Sequence, residues 1–228
     1  MLPDRCVVYY QSFCSLHSQF YPSLAPGGLL DVLDATALAL DLNKLRAALL
    51  ADPYFKNVPS MQPEAKKTAL YFHAKDDLPE VRREVFALLQ RHPIRFSAVI
   101  RDKKSVVDYV RSRNERDTTY RYQPNELYDY AVRRLFKERL HKHDGYNICF
   151  AIRGNSPRTA AFRQALEQAR DRFAHERGLA MTSQLNVKAA YPTTETALQA
   201  VDYFLWGCSG RTKSAKTGFW NWSGRSAT

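Results

Sequence analysis

No stretch of this chain reaches the roughly 18 consecutive apolar residues that a membrane-spanning helix needs. The first residues, Met1–Gln11, include Asp4 and Arg5 and lack the apolar core and small-residue cleavage site of a secretory signal. A cytoplasmic protein with no membrane partner is therefore expected. Cysteine is scarce too: Cys6, Cys14, Cys149 and Cys208 lie far apart. None forms the Cys-x-x-Cys pair of a zinc or redox site, so free thiols are the simplest reading. Glycine numbers nine, and Gly27-Gly28 reads as a lone turn signal rather than a phosphate loop. With no Walker motif and no Gly-x-Ser-x-Gly elbow, P-loop and serine-hydrolase chemistry are disfavoured.

The remaining shortage is of acid: 23 Asp and Glu stand against 34 Lys and Arg, a formal charge of +11 over 228 residues. Such an excess favours polyanionic partners through counterion release, nucleic acid foremost. A solvated basic surface is the plainer alternative.

Apolar periodicity predicts alternating strands and helices. Ala69–His73 reads as a short strand, with Asp76, Asp77 and Pro79 starting a helix marked by Val81, Val85, Leu88 and Leu89. Ile94–Ile100 has the period-two pattern of a strand. A short helix and a loop follow between Arg101 and Tyr122, and then a helix carrying Leu127, Ala131, Leu135 and Leu140. Tyr146–Ile152 is apolar on both faces apart from Asn147, as a central strand should be. Ser156-Pro157 opens a helix that Gly178 ends. Ser183–Ala189 reads as a weaker strand, and a last helix bears Leu198, Val201 and Leu205 on one face. The pattern predicts one α/β domain over residues 1–206, atypical up to residue 40. Residues 207–228 lack any acid and any helical period, and read as a basic tail without regular structure.

Two polar groups interrupt the apolar patterns. In Phe72-His73-Ala74-Lys75-Asp76-Asp77, a carboxylate and an imidazole share a turn at an element boundary, where a divalent cation or an activated water would fit. An ordinary helix cap is the competing reading. In Leu198–Phe204, Asp202 shares a helical face with Gln199 and Trp206 at spacings of three and four. A carboxylate in so apolar a helix needs a partner, either a metal or an arginine. His141 and His143, two residues apart, do not face each other. Arg101, Lys103 and Lys104 close the strand Ile94–Ile100 and are candidate phosphate contacts. Asp31 and Asp34 read as helix-surface residues.

Three blocks together resemble a known family: Leu49-Leu50-Ala51-Asp52-Pro53-Tyr54-Phe55; Lys67 through Asp77 with Pro79-Glu80-Val81-Arg82; and Ala197 through Trp206. From about residue 41 to 206 the chain resembles the RNase-H-like family termed domain of unknown function 3800. The resemblance implies an RNase-H-like mixed sheet flanked by helices. It also implies metal-dependent phosphodiester hydrolysis of nucleic acid, with magnesium or manganese as cofactor. His73, Asp76 and Asp202 carry over as catalytic residues, Asp76 and Asp202 among them as metal ligands.

The family's first-strand motif, Asp-Glu-Ser-Gly, is missing; Val7-Val8-Tyr9-Tyr10-Gln11-Ser12-Phe13-Cys14 stands there. Back-translated and read two nucleotides later, the stretch from Cys208 can continue the preceding helix, which suggests a shifted reading frame. Two alternatives follow: a non-catalytic nucleic-acid-binding protein, resting on Arg101–Tyr122 where seven Lys or Arg mingle with Tyr109, Tyr120 and Tyr122, and a degenerate gene product.

Overall fold

The computed structural model describes residues 5–11, 23–152, 158–180, 183–211 and 218–223, with side chains described only between 27 and 208, apart from 103 and 124. The architecture is mixed α/β. In chain order the strands are β1 (Arg5–Gln11), β2 (Ser23–Val32), β3 (Ile94–Asp102), β4 (Gly145–Ala151), β5 (Gln184–Ala190) and β6 (Gly218–Ser223). The helices are α1 (Ala35–Ala51), α2 (Pro79–Leu89), α3 (Lys103–Arg116), α4 (Pro124–Phe136), α5 (Thr159–Arg177) and α6 (Ala197–Arg211).

The described strands form one sheet in the order β5-β4-β1-β2-β3-β6. β1, β2, β3 and β6 pair antiparallel, whereas β1, β4 and β5 run parallel. β1 joins the two halves, pairing Tyr9 with Leu30 on one side and with Cys149 on the other. β4 lies between β1 and β5, and its burial on both faces follows from that interior place.

Each face of the sheet has its own core. On one, Leu30, Phe96, Ala98 and Cys149 pack with α1, α2 and α6 through Leu38, Val85, Val201 and Leu205. On the other, Leu29, Val99, Ile148 and Phe150 pack with α4 and α5 through Val132, Phe136, Phe162 and Leu166. Gly28 allows α6 to approach: a Cβ there would stand 2.8 Å from Leu205 Cδ2 and 2.8 Å from Phe96 Cε2. The pair read as a turn thus lies inside β2, where close packing rather than chain reversal calls for glycine.

The structure corrects other expectations. Residues 69–73 are a loop, not a strand. The helix expected between Arg101 and Tyr122 is four turns long, because Asp102 accepts the N–H of Ser105 and caps it. The boundary expected at 206 falls inside α6, and Gly218–Ser223 pairs with β3 at the sheet's edge. Ser156-Pro157 lies outside the described residues, and α5 ends at Gly178, which takes the left-handed conformation with φ 63°. Among the described residues no helix is long and apolar enough to cross a membrane.

Candidate active site

The loop before α2 replaces sheet partners with side chains. Three successive backbone N–H groups donate to three acceptors: Phe72 to Gln199 Oε1 at 3.0 Å, His73 to Asp77 Oδ2 at 2.9 Å, and Ala74 to Asp202 Oδ2 at 2.8 Å. A strand would send these donors to a neighbouring strand; local and α6-borne acceptors take them instead. Gln199 also donates to the carbonyl of Pro192 at 2.7 Å, so both ends of its amide are used. The face that Gln199, Asp202 and Trp206 share on α6 is therefore the face on which the loop docks. Arg82 completes the seam, donating to the carbonyls of Ala74 and Asp77 with its guanidinium 4.6 Å above the Trp206 ring.

Asp77 is not a helix cap. Leu78 occupies the cap position of α2 and makes no side-chain cap bond. The Asp77 carboxylate instead accepts the Thr68 hydroxyl at 2.6 Å, the His73 N–H and the Tyr203 hydroxyl. Thr68, Asp77 and Tyr203 are all buried. Burial pushes the Asp77 carboxyl above its ordinary value, against those hydrogen bonds. The Tyr203 hydroxyl is pushed up strongly by burial and by the charge of Asp77. This cluster holds the loop in place.

Beside it lies the more exposed group. His73 stands between two carboxylates, its Nδ1 3.4 Å from Asp76 Oδ2 and its Nε2 3.9 Å from Asp202 Oδ1. The three side chains grade from inside to outside at 3% exposure for Asp202, 26% for His73 and 38% for Asp76. The 3.4 Å approach does not satisfy hydrogen-bond geometry, and Nδ1 is a buried nitrogen without a hydrogen bond among the described residues. The Asp202 carboxyl is pushed up to about 6, first by burial, then by Asp77 and Asp76, while His73 and the Ala74 N–H pull it down. Tyr71 joins the group: its hydroxyl is raised by partial burial and by the charges of Asp76, Asp202 and Asp77.

His73 thus lies beside both Asp76 and Asp202. Asp202 accepts a backbone N–H from Ala74 and faces the His73 imidazole. Among the described residues no group of three or more His, Cys, Asp or Glu side chains is arranged to hold a metal. What a single hydrated cation would meet here is the Asp76 and Asp202 carboxylates, the second of them buried at a cost to its charge, and an imidazole nitrogen without a hydrogen bond among the described residues. Magnesium commonly takes one or two carboxylates and fills its other positions with water and substrate oxygens. Two carboxylates on either side of one imidazole do not make a closed cage.

The remaining candidates separate from this group. Arg101 packs its guanidinium 4.6 Å from the centre of the Tyr130 ring and donates to its hydroxyl; Lys104 lies in the first turn of α3, and the Lys103 side chain lies outside the described residues. His141 stacks on Phe173 with centroids 4.2 Å apart, and His143 sits edge-on to Tyr146 at 5.6 Å. Asp31 is a β2 residue, not a helix-surface one; it pairs with Arg139, and burial raises its carboxyl. Asp34 caps α1 by accepting the Ala37 N–H at 2.8 Å. Cys149 is a buried free thiol pushed up to about 12, so it is unreactive at neutral pH. β1 carries no acid.

Comparison with protein-family models, with curated proteins and with solved structures finds no match. The residues the sequence reading missed are Asp77 and Tyr203 as the loop's anchor and Tyr71 as a neighbour of the acids. A signal for the first pair was present: Tyr203 follows Asp202 in the helix, and a phenol with no water around it needs an acceptor.

Proposed function

We propose that this chain is an RNase-H-like nucleic-acid phosphodiesterase whose active site is built from Asp202, Asp76 and His73. The observation that carries the reading is the meeting of those side chains from α6 and the loop before α2 around one imidazole. Strand order supports the fold part: an antiparallel meander of β1, β2 and β3 with β4 and β5 added parallel beside β1 is the sheet of that fold class. The positive balance of the chain supports the substrate class.

Asp202 and Asp76 would hold one divalent cation, which when bound supplies Lewis-acid stabilisation to a phosphodiester and a more acidic water. Asp202 is oriented for this by the Ala74 N–H, which leaves its Oδ1 edge toward His73. His73, partly exposed and flanked by carboxylates, accepts a proton from an attacking water or delivers one to the leaving oxygen. Asp77 takes no part in proton transfer; it positions His73 by accepting its backbone N–H.

The test is hydrolysis of labelled single-stranded and duplex oligonucleotides with magnesium or manganese, comparing the wild type with Asp202→Asn and His73→Ala. Metal-dependent cleavage that falls at least about a hundredfold in each variant is expected, since a positioned acid or base contributes on that order. No cleavage by the wild type with either metal, or cleavage indifferent to Asp202, overturns the proposal.

A further inference from the structure

Away from the carboxylates, α3 and α4 enclose a groove of about 470 Å³, within the range of sites that hold one small ligand or one residue of a polymer. Val106 and Leu127 form its buried floor, with Tyr122 and Tyr130 packed against them. Tyr109 stands at the side, 54% exposed. Arg101, Arg113 and Arg133 supply the charge around it. The arginines are held in place: Arg101 lies on Tyr130, Arg113 lies 4.3 Å from the centre of the Tyr120 ring and donates to the Tyr109 hydroxyl at 3.0 Å, and Arg133 reaches Gln168 at 3.4 Å.

Two acids also line the groove, and both have engagements of their own. Glu126 accepts the Tyr120 hydroxyl at 2.8 Å and the Gln123 N–H at 3.1 Å, and faces Arg113 at 3.6 Å. Asp129 faces Arg158 at 3.5 Å. The walls therefore combine aromatic faces with fixed guanidinium groups, and the floor is apolar. A peptide rich in acid would satisfy the arginines but make little use of the rings. A planar base joined to a phosphate uses both, because stacking on tyrosine tolerates any base and guanidinium forks match phosphate oxygens.

We infer that this groove binds single-stranded nucleic acid, stacking an unpaired base against Tyr109 and Tyr122 with the flanking phosphates at Arg101, Arg113 and Arg133. A duplex keeps its bases within the stack and cannot offer one to a pocket of this size. The inference rests on the nucleic-acid reading above for the class of partner, but not on hydrolysis.

Fluorescence anisotropy with labelled oligo-dT and oligo-rU, in EDTA so that no strand is cut, tests it on the full chain. Binding that weakens with added salt is expected. Tyr109→Ala and Arg113→Gln, both at exposed positions, should each weaken binding at least about tenfold, with unchanged circular dichroism and melting temperature. Absence of binding at low salt, equal binding by both groove variants, or equal competition by polyglutamate or by a blunt duplex of the same length each overturns the inference. Oligonucleotide binding in the groove without any cleavage would retain the inference and remove only the catalytic reading.

Discussion

The two faces of the sheet are built on different terms. Beneath α4 and α5 the core is mostly apolar side chains and rings, with Phe150 and Phe162 stacked at 4.5 Å and Phe136 edge-on to Phe162 at 6.2 Å, and its polar members are Arg139 and its partners Asp31 and Ser97. Beneath α6 and the loop before α2 the core is crossed by a polar seam of Thr68, Asp77, Gln199 and Asp202, all buried. An apolar face tolerates repacking at similar volume, whereas a polar seam is satisfied only in one register. The seam fixes where the loop lies, and so where His73 stands relative to the two carboxylates.

The sharpest way to break this contrast is Asp77→Ala. It leaves the Thr68 hydroxyl, the Tyr203 hydroxyl and the His73 N–H without their shared acceptor, at an expected cost of about 3–5 kcal/mol. A conservative Phe162→Leu on the other face should cost no more than about 1–2 kcal/mol, since most of the buried volume is kept. Urea denaturation of both variants checks the difference; a loss in Asp77→Ala no larger than in Phe162→Leu would deny the seam its role. Next in size is Gly28→Ala, whose Cβ has no room beneath Leu205. A loss of about 1–3 kcal/mol is expected from overpacking, partly recovered in the double variant with Leu205→Val. Thermal melts of the single and double variants measure that recovery.

How much of this was legible in the sequence depends on whether the information was periodic. Helices α2, α4, α5 and α6 and strands β3 and β4 announced themselves by apolar spacing. The segment 69–73 has the same apolar character as a strand, but its donors are claimed by Gln199 and Asp202, over 120 residues away. No local pattern carries that pairing. Asp202, Gln199 and Trp206 were legible as one face because helical spacing is strict, while their target was not. Gly28 read as a turn because a glycine inside a strand and a glycine between strands look alike until the helix above it is placed. The groove was legible only as a mixture of tyrosine and arginine between Arg101 and Tyr122; its enclosure depends on α4, which lies beyond that segment.

Asp202 sharpens the comparison through pH. In the unfolded chain its carboxyl ionises near its ordinary value of 3.8, whereas in the folded protein it is pushed up to about 6. Between those values the folded state holds more protons than the unfolded one. This group's contribution to stability therefore falls as pH rises across that window, and the deficit persists above it. Asp202→Asn keeps an acceptor for the Ala74 N–H and removes the ionisation. In EDTA it should melt higher than the wild type at pH 7–8, by about 1–3 kcal/mol in stability, and the gap should close toward pH 4. Melting curves at several pH values decide it, and a variant less stable than the wild type at every pH would mean that the ionised carboxylate is itself a net stabilising member of the seam.

The smallest expected effect on stability comes from the groove. Tyr109 is largely exposed, and its hydroxyl accepts from an exposed arginine, so Tyr109→Ala should change stability by no more than about 0.5 kcal/mol. The near-neutrality follows from where the residue's surface lies: over half of what Tyr109 offers in the free protein faces water. Denaturation of Tyr109→Ala beside the wild type checks the point. A loss of about 2 kcal/mol or more, of the size that removing a buried ring produces, would make Tyr109 part of the packing between α3 and α4, and the groove would then belong with the core rather than with the surface.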